Sequence, residues 1–193
     1  MSLAKILWWQ INKGVVRDVK YAGANLPPYP RTVMPSSEDL MICEEELLQI
    51  LDDRVRRTDL TLQIRQVKQQ LEDDPSILAG TVPLSLKIFG EDLPKMIRSA
   101  RLFSLRAQTE FKTERHPNSL QRVVSLEGDG EIEVKDSSNP LVLSLVSGAN
   151  LELSKRWASV ERNIWHQPRA GNSDWVVLTF HEATEKELID QYR

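Results

Sequence analysis

Apolar residues recur every three or four positions from Leu40 to Leu71 and every second position from Leu84 onward, so helical and extended material occupy separate parts of the chain. A helix period cannot satisfy a strand's two faces, nor the reverse, and the order of the two regions sets the expected architecture. That architecture is α+β: N-terminal helices packed on a mainly antiparallel β-sheet. At 193 residues the chain can bury about 70% of its unfolded surface, enough for a core without disulfide staples.

The helical part spans 36–74. Ser36, Ser37, Glu38 and Asp39 offer a hydroxyl cap and first-turn acids, and Arg54, Arg56 and Arg57 gather where the last carbonyls are exposed. A helix over 37–57 follows. Leu60, Ile64, Val67 and Leu71 keep helical spacing, and a second helix ends before Pro75, because the residue preceding proline avoids helical backbone.

The mainly β part spans 81–180. Leu84, Leu86 and Ile88 alternate with polar neighbours, as do Phe103, Leu105, Ala107, Thr109 and Phe111. Val124–Leu126 and Ile132–Val134 flank Glu127-Gly128-Asp129-Gly130-Glu131 and predict a hairpin, as do 141–146 and 150–153 around Ser147-Gly148-Ala149. Trp157, Val160, Ile164 and Trp165 predict a short helix over about 155–165. Asp174–Phe180 reads as a buried strand, and the capping-box pattern Thr184-Glu185-Lys186-Glu187 predicts a terminal helix over 184–192.

Ahead of the 36–193 domain, residues 1–20 form an amphipathic segment and 21–35 a linker made stiff and extended by Pro27, Pro28, Pro30 and Pro35. Leu3, Ile6, Leu7, Trp8, Trp9 and Ile11 give the first segment an apolar face that something must cover. Tryptophan buries a large area at small rotamer cost, so these six are the candidate partner-binding residues.

The net charge of −3 excludes a global field that would draw in nucleic acid. Locally, seven cations stand against two anions between Lys95 and Arg122. Arg98, Arg101, Arg106, Lys112 and Arg115, with Phe103 and Phe111 interleaved, are the candidate nucleic-acid contacts, arginine for phosphate and aromatics for stacking. Because Phe103 and Phe111 share the strand face opposite Arg106, a core face and a wet face explain the same pattern.

Catalytic and metal signatures are absent. His116, His166 and His181 are each solitary in sequence, so no metal site is expected, and His181 reads as a strand-end residue. No nucleophile elbow or phosphate-binding glycine loop occurs. The single cysteine, Cys43, reads as a small buried thiol within a helix, and the acids Glu127, Asp129, Glu131, Glu133 and Asp136 match no calcium-loop spacing. No cofactor is expected.

These features predict a non-enzymatic subunit or scaffold that docks on a protein partner or on copies of itself. A ribonucleoprotein subunit is the alternative through the basic region, and a peripheral protein on an anionic membrane is the alternative through Trp8, Trp9, Lys5 and Lys13. An enzyme of unfamiliar type is a further class, since catalytic groups gather from distant strands. No apolar run reaches the roughly 18 to 20 residues of a spanning helix, and a lone cysteine fits a reducing compartment, so the expected location is the cytoplasm.

Overall fold

The computed structural model describes residues 42–135 and 140–193. The amphipathic segment 1–20, the linker 21–35 and the expected start of the first helix lie outside them. Two helices come first, α1 (Glu44–Arg57) and α2 (Thr61–Asp73). Cys43 is exposed and is the N-cap of α1, its sulfur accepting from the Glu46 amide at 3.5 Å, which corrects the buried-thiol reading.

Ten strands follow: β1 (Ala79–Leu84), β2 (Ser99–Leu105), β3 (Glu114–Arg115), β4 (Gln121–Glu127), β5 (Asp129–Val134), β6 (Leu141–Val146), β7 (Trp157–Val160), β8 (His166–Ala170), β9 (Trp175–His181) and β10 (Gln191–Tyr192). They form two five-stranded sheets in the orders β1-β2-β9-β4-β7 and β10-β3-β8-β5-β6, every pair antiparallel. Two antiparallel sheets with such crossovers make a jelly-roll sandwich. The expected α+β arrangement of helices on one sheet is therefore corrected: the fold is a β-sandwich, with α1, α2 and the four-residue α3 (Leu153–Arg156) added to it.

The physical reason is legible at Gly128. Its φ of +71° and the closeness of the Asp174 carbonyl, 2.4 Å from where a Cβ would stand, let the chain turn sharply between β4 and β5. The turn joins different sheets, since β4 pairs with β7 and β9 while β5 pairs with β6 and β8. The hairpin expected at this point is absent. The second expected hairpin fails as well, because β6 pairs with β5 and residues 150–153 lead into α3.

Other local expectations shift in the same direction. The segment read as a helix over 155–165 is one helical turn followed by β7. At the C-terminus the capping box is present, with the Thr184 hydroxyl donating to Glu187 at 2.7 Å, but one turn follows and β10 takes the place of a helix. The predicted strand at 84–88 is a 3₁₀ turn over Leu86–Phe89 preceded by β1. Among the described residues no helix is long and apolar enough to cross a membrane.

Two apolar clusters hold these layers. Leu47, Leu51 and Val67 of the helices pack with Leu102, Leu178 and Phe180 on the outer face of the first sheet. Between the sheets lie Leu105, Val123, Ile132, Leu145, Trp175 and Val177. The strand β9 is buried at all seven positions and serves both clusters, so its side chains alternate between them. Gly130 on β5 passes against Trp175, and a Cβ there would stand 2.4 Å from the indole. Gly130→Ala is expected to cost about 1–3 kcal/mol, read as a lower urea midpoint with an unchanged m value.

Candidate metal centre

The centre is assembled where β3, β8 and β9 end. Glu114 of β3 stands opposite His166 of β8 in the ladder, and His116, two residues on in extended backbone, projects to the same side as Glu114. His181 closes β9, level with Gln121 of β4. The imidazole of His116 lies between the other two, with ring centroids 5.4 Å from His166 and 5.1 Å from His181. The structure thus brings together three histidines that are solitary in the sequence. One donor atom each from Glu114, His116 and His166 lies within 4.8 Å of the others.

Hydrogen bonds set which ring nitrogens remain available. His116 Nδ1 donates to Asp190 Oδ1 at 2.9 Å, and His166 Nδ1 donates to the Ile164 carbonyl at 3.1 Å. The Thr179 hydroxyl donates to the Arg101 carbonyl, so its oxygen accepts from His181 Nε2 at 3.2 Å. The opposite nitrogens, Nε2 of His116 and His166 and Nδ1 of His181, are buried without a hydrogen-bond partner among the described residues. Glu114 Oε1 stands 3.5 Å from His166 Nε2. Buried polar atoms are ordinarily paired, so the two imidazole nitrogens of His116 and His166, orphaned among the described residues and grouped with the Glu114 carboxylate, are the donor set a cation would satisfy.

Charge in the site has the matching sign. Glu114, Glu185 and Asp190 face a cavity of about 370 Å³ against one guanidinium, Arg101. Burial opposes ionisation of Asp190, but hydrogen bonds from His116 and Arg101 and their charges outweigh it and hold the carboxyl down at about 2. Burial first, then the charges of His116 and Arg101, push His181 down to about 3, so it presents a neutral ring. Burial, with Glu114 and Asp190 nearby, pushes the Tyr192 phenol up to about 12. Around these polar groups the walls are apolar: Phe103, Phe111, Val123, Ile132, Val177 and Trp175.

The basic residues singled out from sequence have partners within the chain. Arg98 pairs with Glu187, Arg101 with Glu185 and Asp190, and Arg106 donates to the Ile77 and Asp74 carbonyls. Lys112 sits over the Tyr192 ring, while Arg115 donates to Gln191 and lies over Trp165. Of the five, Arg101 reaches the cavity; the others brace the fold around it. Leu3, Ile6, Leu7, Trp8, Trp9 and Ile11 lie outside the described residues. Sequence reasoning missed Glu114, His116, His166, His181 and Asp190, and the one local signal was Glu114-x-His116 on an alternating stretch.

No family model matches this chain, and no curated protein matches it. Among solved structures, salicylate 1,2-dioxygenase of Pseudoaminobacter salicylatoxidans in adducts with gentisate aligns with TM-score 0.50 and 17% identity over 68% of this chain and 35% of that one. A variant of the same enzyme aligns with TM-score 0.51 and 16% identity over 70% and 38%. The formate complex of oxalate decarboxylase from Lactobacillus farciminis gives TM-score 0.46 and 12% identity over 60% and 31%. The chain therefore spans about a third of the length of these neighbours. Solved structures that share this fold are enzymes, which overturns the expectation of a non-enzymatic assembly or scaffold subunit. The activities belong to those proteins; what the likeness gives this chain is the jelly-roll fold.

Proposed function

We propose that this chain is a metal-dependent enzyme in which Glu114, His116 and His166 hold a divalent transition-metal ion and the adjoining cavity admits a small, largely apolar organic substrate for oxidation by dioxygen. The observation that carries this reading is the pair of buried imidazole nitrogens of His116 and His166, unpartnered among the described residues and grouped with the Glu114 carboxylate. Two histidines and a carboxylate with open positions are the donor set of non-haem iron(II) oxygenases. An iron(II) ion bound there supplies the redox chemistry that couples dioxygen to an organic molecule.

The chain's own residues do the rest. Asp190 and the Ile164 carbonyl each keep a proton on the far nitrogen of one ligand histidine, His116 and His166, and leave the near lone pair free. The excess of carboxylates over guanidinium in the cavity favours a cation before any substrate arrives. Phe103, Phe111 and Val177 remove water from the substrate's apolar body, and Gln121, whose Oε1 is buried and unpartnered among the described residues, accepts a hydrogen bond from a hydroxyl or amine on it. The salicylate 1,2-dioxygenase neighbour is solved with gentisate, which makes small hydroxylated aromatic acids the first substrates to try. The lone cysteine fits a reducing compartment, and the cytoplasm is the proposed location.

The test is an anaerobic titration of chelator-stripped full-length chain with iron(II), followed by oxygen-electrode assays with gentisate and related acids. One tightly bound iron per chain and iron-dependent oxygen uptake are the expected results. Absence of saturable binding would remove the foundation of the proposal.

A further inference from the structure

We propose that Asp190 is the positioning residue of this centre and that the C-terminal segment 184–193 is a clasp whose closure is coupled to metal occupancy. The inference rests on the metal-binding reading above. Asp190 stands 74 residues from His116 in sequence, yet its Oδ1 accepts from His116 Nδ1 and its Oδ2 from Arg101 Nη1, each at 2.9 Å. Arg101 is itself gripped by Glu185 of the same segment through Nε, at 2.9 and 3.0 Å from the two carboxylate oxygens. The Asp190 carboxylate is thus fixed from one side and aims its other oxygen at one imidazole.

The segment that carries it is tied to the strand that carries the ligands. β10 pairs with β3, setting Tyr192 opposite Glu114 and Gln191 opposite Arg115. Asn118 donates to the Glu187 carbonyl at 2.7 Å and accepts from the Ile189 amide at 3.1 Å. The Arg193 amide donates to the Thr113 carbonyl at 3.0 Å. These contacts converge on residues 113–118, which include Glu114 and His116.

Apolar burial contributes little to the closure. Ile189 and Tyr192 are about half exposed, and β10 has two residues, so the clasp is held by polar contacts that water can replace. A cation on His116 Nε2 withdraws electron density from the ring and makes Nδ1–H a stronger donor to Asp190. Metal therefore tightens the clasp. By linkage, the closed clasp raises metal affinity by the same factor.

The experiment uses full-length chain stripped of metal and titrated with cobalt(II), its visible ligand-field bands reporting ligand geometry and a competing chelator reporting affinity. Asp190→Ala is expected to weaken cobalt binding by about 10- to 100-fold and to shift the bands, the usual loss when a ligand's supporting partner is removed. Asp190→Asn keeps an oxygen that accepts from Nδ1–H and is expected to recover most of that loss. Hydrogen exchange of the Ile189–Arg193 amides in the unmodified chain is expected to slow by a similar factor on cobalt saturation.

Failure to bind cobalt in the unmodified chain would remove the metal reading itself. With cobalt bound normally, unchanged affinity and bands in Asp190→Ala, or equal losses in the alanine and asparagine variants, would overturn the positioning role. Exchange indifferent to cobalt would overturn the coupling, and that measurement needs no variant to fold.

Discussion

Replacing His166 by alanine is expected to abolish saturable metal binding while leaving the metal-free protein close to its original stability. His166 Nδ1 is committed to the Ile164 carbonyl, and its Nε2 is buried with no hydrogen bond among the described residues. Removing a supporting partner of a ligand weakens metal binding about 10- to 100-fold, and removing the ligand itself exceeds that range. Opposing effects meet in the metal-free protein. The smaller side chain leaves a cavity and the Ile164 carbonyl loses its donor, while relief of an unpaired buried nitrogen returns about 1–3 kcal/mol.

Thermal melts separate the two states. At a metal concentration 100 times its Kd, the unmodified chain should gain about 2.7 kcal/mol of stability from binding, and His166→Ala should gain none. An equal metal-induced shift in both proteins would show that His166 is not a ligand. A variant unfolded without metal would instead place His166 in the structural core.

The same centre shows what alternation in a sequence conveys and what it omits. Phe103 and Leu105 on one face and Arg106 on the other were legible as a half-buried strand, because period-two patterning is local. Which sheet a strand joins is decided by partners far away in sequence. Gly128 carries the chain from β4 in one sheet to β5 in the other, while the same glycine-rich stretch reads from sequence as a hairpin turn. Proline ordinarily stops a helix such as the one predicted over about 155–165, yet Pro168 lies within β8 opposite Ile132, its carbonyl accepting from the Phe111 amide at 2.9 Å.

The centre inherits this difficulty. His116 and His166 are fifty positions apart in the numbering, and they meet only because β3 and β8 pair antiparallel and set Glu114 against His166. His181 ends a strand, as its sequence position indicates, and the end of that strand is where the cavity lies. Basic residues were visible as charges, but their carboxylate partners were not, and without those partners Arg98 and Arg101 resemble an open cationic surface.

On the helical side of the sandwich, Asp52→Ala is expected to destabilise the fold by about 3–5 kcal/mol, a large share of the roughly 5–15 kcal/mol typical of a native domain. Asp52 of α1 is 2% exposed and accepts from the Trp157 indole at 2.8 Å, from Arg56 Nε and from Arg156. Arg156 is 5% exposed and its Nε already lacks a partner among the described residues, so loss of the carboxylate leaves a buried cation and a buried N–H uncompensated. Breaking one side of such a pair is costly even where replacing both sides is not.

Acid provides a second readout. Burial opposes ionisation of Asp52, but the hydrogen bonds from Trp157 and Arg56 and the charges of Arg156 and Arg56 outweigh it and hold the carboxyl below its ordinary value of 3.8. Its folded pKa is depressed, so its contribution is complete above the unfolded value and is lost as pH falls through the folded one. Asp52→Ala should therefore be less sensitive to acid in that interval while being weaker throughout. Because Asp52 ties α1 to Arg156 and Trp157 and lines no part of the metal cavity, the folded fraction of this variant should bind cobalt with unchanged affinity. A urea-measured loss below about 1 kcal/mol would mean that apolar contacts alone hold α1 to the sandwich, since a partner-deprived buried arginine cannot be that inexpensive.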